Sequence, residues 1–188
     1  MLMTLSDLLV PTYVQMLGAV SNWLTKAETQ RPDGAAEALL AARLSPDMFP
    51  LATQVRFACR QAQEAVFRLL EQDFPASLQA LLDEGRNGGA QPGTLADAQA
   101  RIAETLAVVE AAATTGITIE GSAPIAHALP NGMTLDLTAD QYARDWALPQ
   151  FYFHVVMAYA ILRAEGIDIG KADYASHMFA YIRPPAAS

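Results

Sequence analysis

The sequence predicts an all-α domain: an antiparallel four-helix bundle with a small β-hairpin between the third and fourth helices. Two observations carry this. Apolar residues recur at alternating spacings of three and four in four segments, the pattern of one buried helix face. Between the third and fourth of these the period drops to two, on either side of Asn131-Gly132. No internal repeat and no long linker interrupts residues 1–188, so the chain reads as a single domain.

The first seam is Leu5, Leu9, Thr12, Met16, Ala19 and Trp23, with Pro11 inside it. A proline within a helix removes a hydrogen bond and crowds the preceding turn, so a short lead-in with the main helix starting or kinking there is expected. The second seam is Leu51, Val55, Ala58, Ala62, Ala65 and Leu69, with Pro50 fitting the first helical position. Residues 85–93, GRNGGAQPG, follow no strand and lack the Lys-Ser/Thr ending of a phosphate-binding loop, so they read as a flexible connection. Thr94 and Asp97 form a capping box that opens the third seam, Leu95, Ala98, Ile102, Leu106, Val109 and Ala113.

After Gly116, Ile117 and Ile119 alternate with polar residues. Ile125, His127 and Leu129 then face Met133, Leu135 and Leu137 across a turn in which both Asn131 and Gly132 tolerate positive φ. Thr138 and Gln141 make a second capping box, opening a fourth helix that Gly166 closes. Its expected seam is Trp146, Gln150, Phe153 and Met157, with a kink at Pro149, and a short tail ends in Pro184-Pro185. The expected core comprises Leu9, Met16, Trp23, Val55, Ala62, Leu69, Ile102, Val109, Phe153 and Met157.

Composition narrows the function. The formal charge of −8 argues against nucleic acid, whose phosphates need Lys and Arg, and against an anionic membrane surface. The apolar start carries Asp7 and Pro11 without a basic lead, so it reads neither as a signal peptide nor as a membrane span. A single cysteine, Cys59, excludes an internal disulfide and suits a cytoplasmic location.

His154 is the histidine that falls inside a strongly helical segment. Gln150, four residues earlier, projects from the same side of the helix. A kink at Pro149 opens room for a polar pair facing the second helix, where Asp47, Gln54 and Cys59 are the nearest polar or soft groups. His154 is then a metal ligand, a general base, or a core histidine bonded to a neighbouring carbonyl or tyrosine. Strong divalent-metal sites need three protein ligands, and one imidazole holds Zn, Ni or Fe only weakly. His127, on the hairpin, and His177, in the tail, read as solvent-facing or interface residues.

The blocks RLSPDMFPLATQVRFAC (43–59) and PQFYFHVVMAYAILRAEGIDIGK (149–171), in this order and separation, resemble a branch of the DinB/YfiT-like superfamily. The opening Leu5-Ser6-Asp7, Val10-Pro11 and the hairpin share the resemblance. That branch is a bacterial domain of unknown function, in a superfamily whose members are taken to be metalloenzymes. The resemblance implies an antiparallel four-helix bundle, often dimeric. Better-known relatives bind a divalent metal through three histidines, one on the second helix and an HxxxH pair on the last, and some are thiol-dependent transferases or isomerases. Here His154 matches one member of such a pair, but position 150 is Gln, position 158 is Ala, and the second helix has no histidine. Two readings follow: a homodimer that binds a small molecule or simply assembles, without a tightly bound metal, and a metal- or thiol-dependent enzyme centred on His154.

Overall fold

The computed structural model describes residues 3–183 and is mostly helical, with one two-stranded antiparallel sheet. The Pro184-Pro185 end of the tail lies outside the described residues. Helix α1 (Leu5–Gln30) runs through Pro11 without a break. Its start is fixed by a capping box in which Thr4 accepts from the Asp7 backbone and Asp7 accepts from that of Thr4. Pro11 is exposed, so the carbonyl it leaves without a donor meets water, and the expected lead-in turn is not formed. A 3₁₀ segment (Ala35–Ala41) follows, then α2 (Leu51–Leu69), with Pro50 as its N-cap. Helix α3 (Ala76–Asn87) was not expected from periodicity, and the glycine-rich stretch begins inside it. Helix α4 (Leu95–Thr115) opens on the Thr94–Asp97 box.

Strands β1 (Pro124–Ala128) and β2 (Thr134–Thr138) pair as expected, Ile125 opposite Leu137 and His127 opposite Leu135. Ile117 and Ile119 form no strand. At the turn, Gly132 (φ +86°) is left-handed and donates its N–H to Leu129 O, while Asn131 stays at negative φ. This is a three-residue loop with glycine at the left-handed position rather than a two-residue Asn-Gly turn, because Pro130 sets φ for the turn's first corner. Thr138 and Gln141 cap α5 (Ala139–Gln141), which passes through a π-helical turn (Tyr142–Ala147) into α6 (Leu148–Ala164). The expected distortion at Pro149 therefore sits just ahead of it. Widening those turns relieves the clash between the proline ring and the carbonyl four residues back. The short α7 (Lys171–Tyr174) and a 3₁₀ turn (Ser176–Tyr181) end the described chain.

Helix α2 is central, packing on α6, α3 and α4, while α1 packs on α4 and α6. Gln54 meets His154 and Arg68 lies over Tyr142, so α2 and the α5–α6 segment run antiparallel. The buried residues join in one cluster from Leu9 to Ile169. Trp23 is fully buried, stacked 6.0 Å from Tyr174 and edge-on to Tyr159, which ties α7 to α1. Of the expected core, Leu9, Met16, Trp23, Val55, Ala62, Leu69, Ile102 and Val109 are buried. Phe153 is not: it is 53% exposed, and Met157 is half-buried. The buried face of α6 is Phe151, His154, Val155, Ala158, Ile161 and Leu162. With large apolar residues on every side of this helix, hydrophobicity alone does not say which face turns inward.

The glycine-rich stretch is packed rather than loose. A side chain at Gly85 would meet the Phe57 ring at 2.3 Å, and one at Gly88 would meet Thr53 Oγ1 at 2.6 Å. Thr53 also donates to Gly85 O across 2.8 Å. Glycine lets α3 and its exit lie directly on α2, fixing the position of Phe57.

Candidate functional site

The N-terminal half of α2 and the middle of α6 bring His154 against Gln54. The distance from His154 Nδ1 to Gln54 Oε1 is 2.8 Å. The orientation of the Gln54 amide is set by its other end, where Nε2 donates to Phe49 O across 3.2 Å. Oε1 therefore faces the ring and needs a donor, which places the ring proton on Nδ1 and leaves the Nε2 lone pair free. Burial disfavours the imidazolium, and the positive charge of Arg60 adds to this, so the His154 pKa falls to about 4. The ring is neutral at neutral pH, an acceptor rather than a cation.

Aromatic rings surround it. Phe57 and Phe153 each lie edge-on 5.3 Å from His154, and Phe49 lies 5.6 Å from Phe57. Phe49 and Phe153 are both about half exposed, at 51% and 53%. The locus is thus an apolar surface patch with one polar acceptor set into it.

The other expected members are not gathered there. Gln150 is half-buried one turn earlier on α6, with no hydrogen bond to His154. Asp47 is exposed in the turn before α2, its carboxyl held below the usual range by the Ser45 hydroxyl, which donates across 2.5 Å. Cys59 is fully buried on the side of α2 that faces Thr105 of α4, and burial pushes its thiol up to about 12. It is a packed thiol, not a thiolate.

The metal arrangement implied by the resemblance does not fit these residues. Positions 150 and 158 carry Gln and Ala, and among the described residues no three His, Cys, Asp or Glu side chains come together to hold a metal ion.

A second concentration of polar groups was missed by sequence reading. His127 is buried, not solvent-facing, with 5% exposure. Its ring lies 4.5 Å from Trp146, and Nδ1 is 3.8 Å from Glu64 Oε1. Burial lowers its pKa despite the nearby carboxylate. Glu64, itself buried, is held between Arg60 at 2.5 Å and Arg68 at 3.4 Å, one helical turn to either side. Arg60, Glu64 and Arg68 stand at i, i+4 spacing along α2. Nothing local to them shows that the hairpin closes over them. His177 is half-buried in the tail, and its Nδ1 has no hydrogen-bond partner among the described residues.

A mostly helical chain with one β-hairpin, packed around a central helix α2, is DinB-like in form. A crystal structure of a DinB family member protein from Shewanella denitrificans, at 1.83 Å resolution, is similar over 98% of this chain and 96% of its own, with 29% identity and a TM-score of 0.71. Residues 5–175 match the family described as domain of unknown function DUF1993, and the chain belongs to it. No curated protein matches the sequence. Among the described residues no helix is long and apolar enough to cross a membrane.

Proposed function

We propose that this chain is a small-molecule-binding member of the DinB-like group, built on an antiparallel four-helix core of α1, α2, α4 and α6, and that the His154 patch receives the ligand. One observation carries the reading: Gln54 fixes the His154 tautomer, so a neutral imidazole presents a free Nε2 acceptor inside an apolar, ring-lined surface. Such a group recognises a hydroxyl or amide N–H on a ligand with an aromatic or aliphatic body. It is a poor cation site, since one imidazole without two further strong ligands gives little metal affinity. Protein-detected NMR of the full chain titrated with small aromatic alcohols and amides tests this. Binders that shift the His154 ring signals and are lost in His154→Ala support it; a set in which none binds, or whose binding ignores the substitution, contradicts it.

We further propose a homodimer through this same side of the molecule, in a reducing cytoplasm. Phe49, Phe153 and Val156 are large apolar side chains left exposed around α6, a pattern more typical of a covered face than of free surface. The single buried cysteine suits the compartment.

A further inference from the structure

The cleft beneath the hairpin has the chemistry of a separate binding site. It has a volume of about 520 Å³ and lies between α2, α3 and the β1–β2 turn. Its charged lining residues are Arg60, Arg86 and Glu64. Glu64 is already satisfied by Arg60 and Arg68, so the surplus charge at the wall is positive, in a chain whose net charge is −8. Arg86 is exposed on α3 and makes no ion pair among the described residues. Facing it, Leu129, Pro130 and Trp146 supply an apolar wall.

The Arg86 guanidinium, exposed and without an ion pair among the described residues, and the apolar wall of Trp146 and Leu129 in the same cleft together define one ligand class. We infer that this cleft binds a small organic carboxylate, its charge toward Arg86 and Arg60 and its apolar body against Trp146 and Leu129. The site is distinct from the His154 patch: none of the residues lining it belongs to the Gln54–His154 pair, and Arg60 links the two only through its charge on His154.

The two tryptophans of the chain provide the readout. Trp146 lines the cleft, whereas Trp23 is buried in the core with its N–H directed at Asp173 O, so its indole signal is an internal control. Full-length protein is titrated with phenylacetate, 3-phenylpropanoate and hexanoate, and with the matching uncharged amides. The expected result is a saturable shift of the Trp146 indole N–H, with Trp23 unmoved and the amides weaker by about tenfold or more. Arg86→Ala weakens the acids by about tenfold with unchanged melting temperature, Arg86→Lys recovers part of that, and His154→Ala has no effect. The inference is overturned if no acid shifts Trp146 by about 10 mM, a generous limit for ligands of this size. It is also overturned if acid and amide bind alike, if Arg86→Ala binds as tightly as the parent, or if inorganic phosphate displaces the acids as well as they displace one another.

Discussion

A histidine on an apolar helix is most often a packed side chain, and burial with a single hydrogen bond makes His154 look like one. Its environment is more specific than that. The bond to Gln54 uses Nδ1, the neighbouring rings exclude water, and Arg60 adds positive charge, so the proton is held weakly and the ring stays neutral. Stability then depends on pH in a defined window. The folded value of about 4 lies below the ordinary 6.5, so as pH falls the unfolded chain takes up the proton first. The contribution is intact above about 6.5 and is lost on the way down to about 4, on the order of 3 kcal/mol. Asp7, Asp97 and Asp173, whose values are lowered by hydrogen bonds, lose their contributions at still lower pH. Urea midpoints measured across this range should slope for the parent and less steeply for His154→Gln, the remainder coming from His127, whose value burial also lowers; equal slopes would contradict this role for His154. That His154 faces the start of α2 was legible in the sequence, where Gln54 stood with Asp47 and Cys59 as the groups expected within reach, and of these three Gln54 meets the ring. Cys59 was misplaced because helical rotation carries it round α2 to face Thr105 on α4. His127 was missed because its burial depends on the hairpin folding against α2, which no local pattern encodes.

At the scale of elements, capping boxes and seams were the readable signals. Thr94 accepts from Asp97 N and Asp97 accepts in return, and that reciprocal pattern marks the start of α4 without ambiguity. Thr94→Ala should cost about 1 kcal/mol, measured by chemical denaturation. An unchanged midpoint would mean that tertiary packing alone sets that end. The same box at Thr4–Asp7 was obscured by Pro11, which argues for a break only if its orphaned carbonyl is buried. Helix α3 escaped detection because only Leu78, Leu81 and Gly85 are buried on it and no side chain caps it, leaving little periodic signal. Its glycine matters more than its leucines. Gly85→Ala drives a methyl group into the Phe57 ring and, through Phe57, disturbs His154. The expected cost is about 1–3 kcal/mol, with a shift of the His154 ring resonances. A variant as stable as the parent with unmoved resonances would show that Phe57 is free to swing away.

The molecule as a whole was legible in class and in the order of its main elements. Which face of α6 turns inward was not, because Phe151, Phe153, Val155 and Val156 offer apolar groups in every direction. The outward-facing set, Phe153 and Val156 with Phe49 beside α2, is the basis for expecting a dimer. Light scattering at tens of micromolar should report twice the 20.2 kDa chain mass, and Phe153→Asp should return it to one chain. A parent that is already monomeric removes the dimer without touching the ligand reading. The central claim is that His154 works as a neutral acceptor and not as the anchor of a metal centre. Native mass spectrometry of full-length protein purified without a histidine tag tests it most directly, with His154→Ala run in parallel. The expected result is the bare protein mass for both proteins after desalting. One divalent ion per chain in the parent, retained through desalting and absent from His154→Ala, would contradict it.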